Sequence, residues 1–186
     1  GANEANKFFK LNPYVADIPE KYAKDINGVK LLVMGTVDVG GSGCVCPEHV
    51  MLKAILSSLT YRKDDVVIMD MEAGLEHLGR GTAANMDQFI VVIEPGSRSV
   101  QTYRNVKRLA ADLGVKRVRV VANKIRCAED EDFIRSAIPA EDLLGLIHLN
   151  PEIMDADRKG LSPYDCSPSA LAEIRSIKAI LDQDEK

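Results

Sequence analysis

Two cysteines one residue apart, Cys44 and Cys46, lie in Val39-Gly40-Gly41-Ser42-Gly43-Cys44-Val45-Cys46-Pro47-Glu48-His49. C-x-C spacing brings two sulfurs within chelating distance of one ion, and a soft or borderline metal would hold both as thiolates. Pro47 suits the first position of a helix, whose N-terminal dipole lowers thiol pKa. Two thiolates are half of a tetrahedral shell. The other half could be the same pair from a second subunit across a two-fold axis. It could instead be His49 with Cys127 or Cys166, or an open position from which metal is handed on. The blander reading is a pair of core cysteines, which suits a glycine-flanked loop poorly. A redox dithiol is usually spaced C-x-x-C.

Two other places could do chemistry. Asp70-Met71-Glu72-Ala73-Gly74 follows the apolar run Val66–Met69. An acidic residue at the carboxyl end of a parallel strand suits Mg²⁺, held directly or through water, and Gly74 would let backbone approach an anion. Asp70 as the cap of a following helix is an equal alternative. Asn123-Lys124 follows Val118–Ala122; Asn offers donor and acceptor to a nucleobase edge, and the Lys stem can cover its face. A plain polar loop start is the alternative. Glu94-Pro95-Gly96-Ser97 forms a third strand-to-helix turn. The sequence holds no G-x-x-x-x-G-K-[ST] phosphate loop, and Gly40-Gly41-Ser42-Gly43 leads to cysteines with no Lys behind it. Cys127 and Cys166 read as small buried hydrophobes, His77 as structural, and Glu129 to Asp132 as a solvated helix start. His148 carries no independent signal.

Placing these residues requires strands alternating with helices. Strands are predicted at Val29–Met34, Val66–Met69, Phe89–Ile93, Val118–Ala122 and Leu144–Leu149. The near-continuous apolar runs among them indicate a sheet covered on both faces. Helices are predicted at Pro47–Leu59, at Ser97–Leu113 with Ser97 or Ser99 as cap and Gly114 as stop, at Asp130–Ala137, and at Pro168–Asp182. The last has Leu171, Ile174, Ile177 and Leu181 on one stripe. The fold class is therefore α/β: three layers, a mostly parallel sheet with helices on both faces, and ligand loops on one sheet edge. Residues 1–28 read as an irregular N-terminal segment, with Lys21 to Asp25 a short helix at best. Residues 29–186 read as one α/β domain.

The chain has 186 residues, 46% hydrophobic and 28% charged, enough for a sizeable core. A net charge of −4 argues against nucleic-acid partners and anionic membranes. The apolar runs are far shorter than the roughly 20 residues of a spanning helix. Four cysteines without a signal peptide fit a reducing cytoplasm better than a disulfide scaffold.

These segments together resemble a known family. Gly41-Ser42-Gly43-Cys44-Val45-Cys46, Val67 through Ala83 with Asp70-Met71-Glu72-Ala73-Gly74-Leu75-Glu76-His77-Leu78-Gly79-Arg80-Gly81-Thr82 between, Ile93-Glu94-Pro95 and Asn123-Lys124 are similar to the CooC-type maturation factors of carbon monoxide dehydrogenase. These belong to the MinD/ParA-type ATPases with a deviant Walker A loop. The likeness runs from about Leu11 to the C-terminus. It implies a P-loop NTPase-like fold, with ATP or ADP and Mg²⁺ as cofactors. Asp70 would be the switch II aspartate, Gly74 the glycine on the γ-phosphate side, and Asn123 the base-recognition residue beside Lys124. Cys44 and Cys46 would bind nickel or zinc at a homodimer interface, and carbon monoxide dehydrogenase would be the client of nickel insertion. The family's Walker A loop, its two lysines, its first strand and its switch I aspartate have no counterpart in these residues. The chain thus resembles an N-terminally shortened member, expected to show little ATP turnover by itself. Two rivals remain at this stage: a related ATPase for another metallocofactor, such as iron–sulfur assembly, and a non-enzymatic metal-binding dimerisation module.

Overall fold

The computed structural model of the protein describes residues 21–33, 54–56, 65–71 and 86–184. The chain divides into two compact units, Gly1–Asn85 and Met86–Lys186.

In the first unit, β1 (Lys24–Ile26) and β2 (Val29–Leu31) pair antiparallel, Lys24 opposite Leu31 and Ile26 opposite Val29. Asn27 and Gly28 join them with φ of 53° and 87°. Two positive φ values are what a type I′ hairpin requires, and Asn-Gly adopts them at least cost. The Gly28 amide donates to Asp25 Oδ1 at 2.9 Å and closes the turn. This differs from the irregular segment expected up to residue 28: among the described residues Lys21 and Tyr22 are helical, and a strand occupies Lys24–Ile26. Residues 54–56 are helical, with Ile55 and Leu56 buried, in keeping with the described part of the helix expected over Pro47–Leu59.

The strand expected at Val66–Met69 is not formed; residues 65–71 lie outside any strand. Val66 is 76% and Ile68 86% exposed. An apolar run becomes a strand only where ladder partners and covering layers are present, and among the described residues none pairs with this one.

The second unit contains the sheet. Strands β3 (Gln88–Ile93), β4 (Arg117–Ile125) and β5 (Leu143–His148) are parallel in the order β3-β4-β5. Helix α1 (Ser97–Asp112) connects the first two and α2 (Ala128–Ala137) the second two. After β5 come α3 (Pro151–Arg158), α4 (Pro163–Cys166) and α5 (Pro168–Asp184). Side-chain alternation along the strands builds three layers. Ile93, Val118, Val120 and Ala122 pack with Val100, Tyr103 and Ala110 of α1 and Ile134 of α2. Val121 and Leu144 face the other way and pack with Ile177 of α5. Each large apolar side chain buried this way contributes about 1.5–3 kcal/mol. The α/β class and the helices on both faces agree with the sequence.

Local chemistry explains where the elements stop. The N-cap of α1 is Gly96, so neither serine caps it, and Ser97 becomes its first residue. Gly114, at φ 79°, ends the helix as expected, with Val115 N–H returning to Ala110 at 2.9 Å. α3 and α4, not expected from apolar spacing, start at Asn150-Pro151 and Ser162-Pro163. Each cap side chain accepts from the residue after the proline, Glu152 N–H at 2.8 Å and Tyr164 N–H at 3.2 Å. In α5 Ile174 is 49% exposed and lies off the buried stripe. At Gly145 a Cβ would sit 2.7 Å from Ile177 Cγ1, so the absence of a side chain sets the distance between β5 and α5. No described helix is long and apolar enough to cross a membrane.

Candidate nucleotide-facing edge

Parallel strands bring Glu94, Asn123, Lys124 and His148 to one edge of the sheet, the carboxyl edge where α/β folds bind ligands. Asn123 and Lys124 do not follow β4, as the sequence implied; they lie inside it. Pairing with β5 is irregular between Ala122 and Ile125, and Lys124 takes φ 58°. A non-glycine residue in this left-handed region costs about 1 kcal/mol or more. Asn123 Oδ1 accepts from Lys124 N–H at 2.9 Å and holds the kink. Lys124 Nζ then reaches Glu94 Oε1 at 2.6 Å, both side chains being about half exposed. The kinked backbone thus groups a half-buried carboxamide, a lysine stem and a carboxylate beside one another. The Asn123 amide N–H₂ has no hydrogen bond among the described residues and can donate to a ring nitrogen, while the Lys124 stem offers a flat apolar surface for a planar base.

α2 begins beside this group. Asp130 accepts from Arg126 N–H at 3.0 Å, from Nε at 2.9 Å and from the terminal guanidinium nitrogen at 3.1 Å. It is buried, not part of a solvated helix start, and the Arg126 hydrogen bonds hold its carboxyl below the usual carboxylate range. Cys127 is exposed at the N-cap of α2, not a buried hydrophobe, while Cys166 is half-buried.

His148 closes β5. Its Nδ1 lies 2.7 Å from Glu173 Oε1 on α5, and its Nε2 lies 3.3 Å from Glu131 Oε1 on α2. Its backbone N–H donates to Glu173 Oε2 at 3.1 Å. With carboxylates at both ring nitrogens the imidazolium is favoured; the Glu173 hydrogen bond, chiefly, raises its pKa above the ordinary histidine value. Nothing in the sequence singles out His148, because its partners lie on helices that only the folded topology brings together. Next to it, Asn150 donates to Ser167 Oγ and Ser169 Oγ, each at 2.8 Å, tying the starts of α3 and α5.

Of the other expected site residues, Asp70 is exposed in the first unit, on the segment 65–71. Gly74, Cys44 and Cys46 lie outside the described residues. Among the described residues no group of three or more His, Cys, Asp or Glu side chains is placed to hold a metal ion.

No family model matches the chain. Individual proteins do. The carbon monoxide dehydrogenase accessory protein CooC of Rhodospirillum rubrum is 46% identical over 182 residues, 97% of this chain and 69% of that protein. Two uncharacterized ATP-binding proteins of Methanocaldococcus jannaschii are also similar: one is 41% identical over 91% of this chain, the other 32% identical over 90%, covering 66% and 65% of those proteins. The chain spans about two thirds of the length of these curated relatives. Identity of this extent, on a layered α/β unit with its polar residues gathered at the carboxyl edge, shows that the chain belongs to the CooC family of carbon monoxide dehydrogenase accessory proteins.

Proposed function

We propose that the chain serves nucleotide-dependent nickel insertion during maturation of carbon monoxide dehydrogenase. The observation that carries this reading is the 46% identity to CooC along 97% of the chain. In this reading the carboxyl edge receives an adenine nucleotide. Asn123 would donate to the base, and the Lys124 stem would cover it, with Glu94 fixing the lysine head. Asp70 and Gly74 would serve the phosphate end with Mg²⁺. Nickel, or zinc in its place, is cargo held by Cys44 and Cys46. A second chain would supply the other two thiolates, since tetrahedral sulfur sites close at four ligands. The protein would act in the cytoplasm as a homodimer, with the dehydrogenase as its client.

The test is metal analysis of the purified protein. The expected result is about one nickel or zinc per two chains, lost in Cys44→Ser and in Cys46→Ser. Wild-type affinity in both variants would place the metal elsewhere. An iron–sulfur chromophore would move the chain to cluster assembly. Titration with a fluorescent ATP analogue tests the nucleotide reading. Asn123→Ala should weaken binding about tenfold and reduce the preference for adenine over guanine. Because no phosphate loop is present in these 186 residues, the chain alone should bind weakly and turn ATP over negligibly.

A further inference from the structure

The amino edge of the sheet, opposite the nucleotide-facing one, carries two adjoining open depressions. One, of about 390 Å³, is bordered by Arg104, Lys107 and Arg108 of α1. The other, of about 470 Å³, shares Lys107 and adds Lys116, Arg117 and Arg119 from the start of β4. Against these six cations the two depressions hold two carboxylates, Glu141 and Asp142. Asp142 is buried and committed to the Tyr103 hydroxyl and the Lys107 ammonium. The excess of positive charge is therefore local, in a chain whose net charge is −4. Arg117 and Arg119 have partners of their own, but Arg104, Arg108 and Lys116 are exposed and form no ion pair among the described residues.

We propose that this amino-edge face of α1 and β4 is a docking surface for an acidic face of a partner protein. The shape and chemistry favour that occupant over others carrying the same charge. Neither depression is an enclosed cavity, and together they suit a rim of carboxylates on a broad surface. Tyr103, which lines the first depression, is 3% exposed with its hydroxyl engaged, so among the described residues that line the two depressions no exposed aromatic platform waits for stacked bases. Among the described residues no large apolar side chain between Val92 and Leu149 is exposed, so nothing there would anchor in a lipid interface. Charge of one sign on one edge steers an oppositely charged protein into a single orientation and speeds its encounter. The opposite edge stays open to ligand while the partner is docked. The inference uses neither the nucleotide nor the metal assignment, and stands if either fails.

The experiment titrates the full chain with a labelled poly-L-glutamate peptide at low and at physiological salt. An oligonucleotide of matched charge, inorganic polyphosphate and phosphatidylserine vesicles are run in parallel. The peptide should bind the wild-type chain and weaken steeply with salt. Reversing Arg104, Arg108 and Lys116 to Glu should weaken it roughly tenfold or more, whereas reversing Arg98, Lys159 and Arg175 should change it little. If the triple reversal disturbs folding, Gln at the same three positions should give a smaller loss in the same direction. Equal loss from both sets would show that net charge alone governs binding and would overturn the proposal, as would no loss from the amino-edge set. Tighter binding of the oligonucleotide, polyphosphate or vesicles at matched charge would replace the acidic protein with that class.

Discussion

The two edges of the parallel sheet hold their polar groups in opposite ways. At the amino edge Asp142 is buried, and its Oδ2 accepts from both the Tyr103 hydroxyl and the Lys107 ammonium. At the carboxyl edge Lys124 and Glu94 meet about half exposed, on backbone forced into the left-handed region. Burial pushes the Asp142 carboxyl up, but the hydrogen bonds from Lys107 and Tyr103 outweigh it and hold the group below its ordinary value. Exposed pairs such as Lys124–Glu94 contribute little to stability, so they do not by themselves offset the strain at the carboxyl edge, and the nucleotide site proposed above would give that strain a use. The Asp142 group is built for stability; the Lys124–Glu94 group stays available.

The largest effect should come from breaking the buried side of that contrast. Asp142→Ala leaves the buried Tyr103 hydroxyl without its acceptor and the Lys107 ammonium without its counter-charge, and should cost about 3 kcal/mol, read by chemical denaturation. Glu94→Ala should stay within about 0.5 kcal/mol. Comparable losses would erase the distinction between the edges. The depressed Asp142 pKa also fixes a pH limb: its contribution is present above the unfolded carboxylate pKa of about 3.9 and is lost as pH falls through the lower folded value. Asp142→Asn should flatten that acid limb.

Gly145 sharpens the contrast from within the core. Alanine there meets Ile177 at 2.7 Å, and overpacking of this kind costs about 1–3 kcal/mol. The double variant with Ile177→Val should recover part of the loss if the clash is with that side chain. Recovery of nothing would locate the strain in the backbone of β5.

How much of this was legible in the sequence follows from which interactions are local. Val118, Val120 and Ala122 alternate within one apolar run, and Gly114 stops α1 through its own φ, so the three strands and helices α1, α2 and α5 of the second unit could be read directly, while α3 and α4 could not. Asn123 and Lys124 were recognisable as a polar pair after an apolar run, but their place inside β4 depends on pairing with β5, which no local pattern states. The hairpin was present in the sequence as Asn27-Gly28 and yields to turn chemistry, not periodicity. Val66–Met69 shows the converse: a run apolar enough for a strand remains exposed where no ladder partner is described. The His148 cluster and the amino-edge cations needed the tertiary arrangement, because each draws on several elements.

Lys124→Gly separates strain from function. Glycine takes φ 58° without a Cβ penalty, so the variant should gain up to about 1 kcal/mol, less what the freer unfolded chain takes back. It also loses the Glu94 pair and the stem proposed to cover a base, so nucleotide affinity should fall. A variant both less stable and equally able to bind nucleotide would mean the kink has no part in the site.

The smallest effect belongs to His148 and is recognised by its sign. Its folded pKa is raised, chiefly by the Glu173 hydrogen bond, so the stabilisation is complete below the unfolded histidine value of about 6.5 and fades as pH rises through the folded value. The charged groups facing the ring are Glu173 from α5 and Glu131 from α2, the latter also shared with Arg135 at 3.6 Å. Histidine is the side chain whose charge changes within about pH 5.5–8.5. The side chain is 50% exposed, and solvent screening keeps the contribution near about 0.5 kcal/mol. Denaturation of wild type and His148→Gln should therefore show a gap that is widest at about pH 5.5 and closes by about pH 8.5. A gap that stays constant, or opens toward alkaline pH, would show that the imidazolium does not bridge the two helices, and would leave His148 as a strand terminus held only by its backbone bond to Glu173.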